Sequence, residues 1–269
     1  MNLPQCETLE LQVDDFTLHI RLNRPEVRNA MSLQMTEELM AVFTAIQDSR
    51  EIRAVVLRGN GGHFCAGGDI KDMAGARMQA MQSGDGEAYA KLNRAFGKMI
   101  TLVDHAPQVV IAALEGAVLG GGFGLACVSD VAIALNTAQF GLPETGLGVI
   151  PAQIAPFVVK RIGLTQARAL ALLGARFNGE EAQRLGIVHR VVTSAEDLSG
   201  AVLEALTQVQ RCAPEANRVT KALLHRVDHE PLESLLDDAA KQFARAVAGP
   251  EGAEGTMAFV QKRLPNWAE

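Results

Sequence analysis

The chain has 269 residues, of which 48% are hydrophobic and 21% charged, an ordinary globular balance with enough length for one sizeable core. A net charge of −6 argues against a general nucleic-acid binder. Aromatic residues make up only 4%, so the core has to be assembled mainly from Ala, Val, Leu and Ile.

Glu7 to Val13 and Phe16 to Leu22 alternate with a period near two around Asp14-Asp15, which predicts a β-hairpin ended by Asn23, Arg24 and Pro25. Ser32 is placed to cap a helix over Leu33 to Asp48, with Leu39, Val42, Phe43 and Ile46 along one face. Arg53 to Leu57 reads as a buried strand. Asp69 to Ala76 fits a short helix, Met78 to Glu87 a mobile loop rich in Gln, Ser and Gly, and Glu87 to Asp104 a longer helix. Val109 to Leu114 and Val131 to Leu135 are apolar runs of strand length, and Ile187 to Val192 is the last expected strand. From Asp197 onward only helical periodicity remains, over Asp197–Gln210, Pro214–Val227, Pro231–Val247 and Glu251–Arg263. The expectation is an α/β unit over residues 1–195 followed, without a linker, by a helical region over residues 196–269.

Two glycine-rich turns stand out. His63 to Lys71 reads HFCAGGDIK and follows the strand at Ala54 to Leu57. Gly120, Gly121 and Gly122 follow the apolar run at Val109 to Leu114 and precede a helix-compatible segment, Phe123 to Val128. A strand, a glycine turn and a helix together aim free backbone N–H groups at an anionic oxygen, and glycine lets a ligand approach because no Cβ intervenes. Downstream lies a carboxylate, Glu144, in GLPETG. Val109 to Val128, with Glu115 its single charge, has the length of a membrane span, but its five glycines, the preceding Pro107 and the polar Ser129-Asp130 favour a buried strand, turn and helix. A dinucleotide fingerprint starting at Gly120 fails because Leu125 stands where glycine is needed; no GxxxxGK, GxSxG or HExxH occurs. Cys6, Cys65, Cys127 and Cys212 show no CxxC spacing and read as free thiols, so neither a zinc site nor a disulfide framework is expected of them, and no metal is expected. The N-terminus MNLPQCETLELQ is neither basic nor apolar enough for a signal peptide, which makes a cytoplasmic location the expectation.

The two glycine turns, the early RPEVRNAM, the loop GLPETGLGVIP and the ending AFVQKRLPNW, in this order and spacing, resemble the crotonase (enoyl-CoA hydratase/isomerase) superfamily over nearly the whole chain. The resemblance implies a spiral of ββα repeats with a helical C-terminal trimerisation region, assembled as a homotrimer or homohexamer. It implies an acyl-CoA thioester substrate, with coenzyme A arriving as part of that substrate rather than as a separate cofactor. The backbone N–H groups of Gly68 and Gly121 are then the pair that holds the thioester oxygen as it gains negative charge. Glu144 matches the second of two glutamates that hold a water in hydratases of this superfamily. The first would fall at residue 124, where this chain has Gly124; the expectation there is a vacancy for a water or a substrate group. Arg28 and Lys71 match positions near the coenzyme phosphates, Ala66 lies in the segment that meets the adenine, and Phe243, Phe259 and Lys262 match tail positions that reach a neighbouring subunit's coenzyme.

The tract VIPAQIAPFVVKRIG, Val149 to Gly163, resembles bacterial hydratases of branched glutaconyl-CoA thioesters such as methylglutaconyl-CoA and its isohexenyl relative. Such a substrate carries an additional carboxylate, for which Lys160 or Arg161 would be the cation. The resemblance favours a hydratase. An enoyl-CoA isomerase needs only one proton-carrying carboxylate and is the alternative, with a catalytically silent CoA-binding protein a third reading. Neither a nucleic acid nor a membrane is an expected partner.

Overall fold

The computed structural model describes residues 2–269 except 70, 73, 76–77, 79–80, 82–86 and 228. A six-stranded sheet runs in the order β1-β2-β3-β4-β6-β9, formed by β1 (Leu9–Asp14), β2 (Thr17–Leu22), β3 (Ala54–Gly59), β4 (Val109–Leu114), β6 (Val131–Leu135) and β9 (Arg190–Val192). A three-stranded sheet of order β5-β7-β8 is formed by β5 (Ala117–Leu119), β7 (Gln139–Gly141) and β8 (Arg176–Phe177). The expected hairpin is the antiparallel pair β1-β2, with Leu11 opposite Ile20; the rest of the large sheet is parallel, with Leu18 opposite Val55 and Val55 opposite Val110. The last strand is shorter than the apolar run suggests. Ile187 and Val188 are buried in the core as the chain approaches the sheet, and pairing starts only at Arg190.

The side-chain period of two divides the core across the large sheet. Val55 and Leu57 of β3 face a cluster that includes Met35, Leu39, Val42, Phe43 and Ile46 of α1 (Leu33–Ile46). Ala54 and Val56 face the other way, onto Leu198, Ala201, Val202, Leu206 and Val209 of α6 (Ala195–Arg211). The first helix after the α/β strands is therefore laid on the back of the sheet. Ser32 caps α1 by accepting from the Met35 N–H at 3.1 Å, and Ser194 caps α6 by accepting from Asp197 at 3.1 Å. Between them in the chain lie α2 (Glu87–Asp104), α3 (Gly121–Val128), α4 (Ala155–Leu173) and α5 (Gly179–Arg184).

The tail consists of α7 (Pro214–Arg226), α8 (Leu232–Ala248) and α9 (Pro250–Gln261). Cations dock it on main-chain oxygens. Arg53 donates to the carbonyls of Val209, Gln210, Cys212 and Trp267, Arg218 to those of Ser49 and Gln47, and Lys221 to that of Gln108. The segment weighed as a membrane span is β4, β5 and α3 in succession, and no helix among the described residues is long and apolar enough to cross a membrane. In the expected short helix Asp69 to Ala76, Lys71, Asp72, Ala74 and Gly75 are helical, whereas Ile70, Met73 and Ala76 lie outside the described residues. Met78 and Met81 of the expected mobile loop are also helical; the rest of that loop before Glu87 lies outside them as well.

An aromatic trio fixes α3 against the small sheet. Phe140 of β7 stacks on Phe177 of β8 with ring centroids 5.7 Å apart, and Phe123 of α3 meets both edge-on at 6.4 and 6.1 Å. Phe123 is fully buried. Its truncation to Ala leaves a cavity under the glycine triplet and should destabilise the fold by about 3–5 kcal/mol in urea unfolding.

Candidate active site

The first glycine turn is pinned on both sides. The Cys65 N–H donates to Ala117 and the Leu119 N–H to Cys65, which stitches the turn to β5. Across the other edge, Ala66 donates to the Arg28 carbonyl at 3.0 Å, Met31 to the Gly67 carbonyl at 2.7 Å, and Asp69 to the Met31 carbonyl at 3.0 Å. Gly68 sits exposed between these contacts. Asp69, almost fully buried, receives Arg24 in an ion pair at 2.8 Å and the Lys71 N–H at 2.8 Å. Burial alone would raise the Asp69 carboxyl, but the Arg24 hydrogen bond, the Lys71 amide and the Arg24 charge outweigh it and hold the pKa below its ordinary value.

The second turn meets the first at Gly120. Its φ of +48° and ψ of −114° lie where only glycine is unstrained. A Cβ at Gly120 would stand 2.9 Å from Glu144 Oε1 and 3.4 Å from the Gly67 Cα. Three pieces of chain thus converge on one carbon that carries no side chain. Gly122 makes a second close approach, since a Cβ there would lie 2.7 Å from both the Cβ and the carbonyl oxygen of Cys65. Gly121 opens α3, with the Phe96 ring of α2 against it at 3.0 Å from a notional Cβ. Among the described residues, no acceptor takes the N–H of Gly68 or of Gly121. Two free donors in fixed loops, one at a helix N-terminus, are equipped to stabilise an oxyanion.

Glu144 begins a 3-10 turn, Glu144–Leu147, directly after β7 and Leu142-Pro143. Its carbonyl accepts from Gly148 and Val149, which fixes the turn. Oε1 lies on Gly120; Oε2 is buried and, among the described residues, has no hydrogen-bond partner. Burial raises the Glu144 pKa, against a smaller opposing pull from its own backbone N–H. A half-buried carboxylate whose Oε2 is unpartnered among the described residues, with a raised pKa and beside the turns that carry two free N–H donors, is the combination expected of a general acid/base.

The vacancy expected beside Gly124 does not exist. A Cβ on Gly124 would be 2.9 Å from Ile100 Cδ1 and 3.2 Å from Ile154 Cγ2, so an isoleucine from α2 and another from the chain leading into α4 close that side. Arg161 is also corrected as a substrate cation: its guanidinium is spent on the Ile187 and Ser129 carbonyls within 3.2 Å. Lys160 lies over the Phe157 ring at 5.8 Å. Sequence reasoning missed Arg94, which is exposed, folds back over Gly97 beside the Gln153 amide at 3.4 Å, and has no carboxylate partner among the described residues. It also missed Phe96, Ile100 and Ile154; α2 reads from sequence only as an amphipathic helix, and nothing in its pattern says which residues meet a glycine of another helix.

The remaining sequence candidates separate into two groups. Arg28, Ala66 and Lys71 gather at the first turn, with Arg28 in the left-handed region at φ +52°. Phe243 and Phe259 stand 71% and 85% exposed on α8 and α9, and Lys262 caps α9 at φ +55°.

Two expectations follow from this geometry. Because the Glu144 pKa is raised in the native state, its contribution to stability is present below the unfolded-state pKa and is lost as pH rises through the native one. Glu144→Gln should therefore raise Tm at pH 7.5 more than at pH 4, as read by scanning calorimetry. Gly124→Glu should not create a second working carboxylate; forced against Ile100 and Ile154, it should cost about 1–3 kcal/mol or more in urea unfolding.

The profile of the enoyl-CoA hydratase/isomerase family matches residues 15–269. An enoyl-CoA hydratase/isomerase from Marinobacter aquaeolei of known structure is 65% identical at a TM-score of 0.95, covering 98% of this chain and 100% of that one. The structure of Pseudomonas aeruginosa AtuE is 62% identical, with the same TM-score of 0.95 and the same coverage of 98% and 100%. The probable enoyl-CoA hydratase echA8 of Mycobacterium tuberculosis is 34% identical over 97% of this chain and 98% of its own length. The chain belongs to the enoyl-CoA hydratase/isomerase family.

Proposed function

We propose that this protein is a hydro-lyase that adds water across the 2,3 double bond of a branched, acidic enoyl-CoA thioester of the glutaconyl-CoA type. The observation that carries the reading is Glu144 Oε2, buried and unpartnered, beside the free N–H groups of Gly68 and Gly121. The substrate's thioester oxygen lies between those two donors. Glu144 takes a proton from a water whose oxygen bonds to carbon 3. The pair of electrons of the double bond moves onto the thioester oxygen, and the resulting enolate is held by Gly68 and Gly121. Glu144 then returns the proton to carbon 2. One carboxylate serves both halves, since Ile100 and Ile154 occupy the side on which a second would stand.

The acidic branch of the substrate is met by Arg94, whose guanidinium has no carboxylate partner among the described residues and borders the Ile100–Ile154 wall through Gln153. Arg28, Ala66 and Lys71 receive the coenzyme portion at the first turn. Phe243, Phe259 and Lys262 reach it from a neighbouring subunit in a homotrimer or homohexamer, in which exposed Leu232, Leu236, Phe243, Met257, Phe259 and Val260 find cover. The catalytic unit spans residues 1–195 and the assembly region 196–269, in a cytoplasmic enzyme that needs no separate cofactor. The lone carboxylate also admits a second reading, isomerisation, in which Glu144 carries one proton between carbons 4 and 2.

Turnover of 3-methylglutaconyl-CoA in H₂¹⁸O separates the two: hydration places ¹⁸O in a product heavier than the substrate by one water, and an isomeric product without added mass supports the second reading. Glu144→Gln should lower kcat by about 10²–10⁴ with CoA-ester affinity nearly unchanged. Arg94→Gln should raise KM for the acidic substrate and leave crotonyl-CoA unaffected. Turnover on neither substrate, with CoA binding intact, would leave a silent scaffold.

A further inference from the structure

At the C-terminal end of α2, beyond the residues that line the site, Asp104 turns a side chain of only 12% exposure toward α7. Its Oδ2 is buried and has no hydrogen-bond partner among the described residues. Two imidazole nitrogens approach that oxygen: His105 Nδ1 at 3.4 Å and His225 Nδ1, from α7, at 3.8 Å. One donor atom from each of the three residues falls within 4.8 Å of the others. The two rings lie side by side, centroids 4.4 Å apart and 20° from parallel.

These separations are too long for charge-assisted hydrogen bonds, which close to about 2.7–2.9 Å. The Asp104–His105 separation matches the spacing between ligands of one tetrahedral metal, and the other two would close toward it on binding. Bonds of about 2.0–2.1 Å to His nitrogen and carboxylate oxygen set neighbouring donors about 3.3 Å apart. We propose that Asp104 Oδ2, His105 Nδ1 and His225 Nδ1 form a Zn²⁺ site, with water at the fourth position. One oxygen and two imidazoles suit a borderline ion such as Zn²⁺ better than Mg²⁺ or Ca²⁺. The cysteines take no part; Asp104 and His105 are adjacent in the chain and His225 lies far downstream, so no motif marks the set.

Occupancy has definite requirements. His105 Nδ1 lies 3.1 Å from the Thr101 carbonyl and must give up that contact. The stacked rings must also turn so that their lone pairs converge on the ion. His105, with a side chain 53% exposed, has the room to do so and offers the entry path. Lys221, one turn before His225, adds a positive charge nearby, but its ammonium is engaged by Asp130 at 2.6 Å and the Gln108 carbonyl at 3.0 Å. The ion would clip α7, and with it the helical tail, to the end of the helix whose Phe96 and Ile100 line the site. None of this depends on the reaction assigned above.

The test uses tag-free full-length protein stripped with chelator and titrated with Co²⁺, then Zn²⁺. The expected result is one Co²⁺ per chain with the visible absorption of a tetrahedral ion, displaced by Zn²⁺, together with a higher Tm on Zn²⁺ addition. His225→Gln and Asp104→Asn should abolish both signals, and His105→Ala, at an exposed position that does not threaten folding, should weaken Zn²⁺ binding at least tenfold. Absence of stoichiometric uptake, or uptake unchanged in His105→Ala, would overturn the site.

Discussion

The structure depends on one steric constraint, the meeting of three chain segments at Gly120. At the end of β5, Gly67 of the first turn and the Glu144 carboxylate both come within contact of the place a Gly120 side chain would occupy. A Cβ there would press on the carboxylate, and the backbone at φ +48° would strain any residue but glycine. The surrounding contacts serve this approach. Cys65 is stitched to β5 on one side of the first turn and Met31 to Gly67 and Asp69 on the other, while Gly122 lets α3 lie directly on the Cys65 backbone. The aromatic trio of Phe123, Phe140 and Phe177 sets the height of α3, and so of its first N–H groups. A rigid scaffold of this kind leaves its donors oriented before a substrate arrives, which is the condition for electrostatic stabilisation of a developing charge.

Much of this was legible in the sequence because it rests on local chemistry. Ser32 before an apolar face gives a capped helix, alternation around Asp14-Asp15 gives a hairpin, and a glycine triplet between an apolar run and a helix gives a turn with free N–H groups. The membership of the chain in the enoyl-CoA hydratase/isomerase family was legible from ordered motifs. Long-range packing was not. Gly124 shows only that a glutamate is missing; that Ile100 and Ile154 fill the place requires knowing how α2 and the approach to α4 cross α3. Arg161 reads as a cation for the substrate's extra carboxylate, and its capture by the Ile187 and Ser129 carbonyls follows from where α4 lands on the core. The short strands β5, β7 and β8 escaped notice because two or three residues carry no periodicity.

The same packing sets the electrostatics. Asp69 and Glu144 are both partly withdrawn from water near the two turns, yet their pKa values move in opposite directions. Asp69 has Arg24 and an amide as partners and stays ionised as a structural anion; Glu144 has an orphaned oxygen and is pushed up. Under the proposed function the two divide the labour, Asp69 holding the loop and Glu144 exchanging the proton. The orphaned oxygen is a local cost in stability, concentrated at the point where the geometry makes it useful.

The most direct test is a crystal structure with a bound, unreactive acyl-CoA thioester. The account predicts the thioester oxygen about 2.7–3.1 Å from the nitrogens of both Gly68 and Gly121, with the Glu144 carboxylate facing the α-carbon. A thioester oxygen bound elsewhere, or another acid or base in reach of the α-carbon while Glu144 points away, would contradict it.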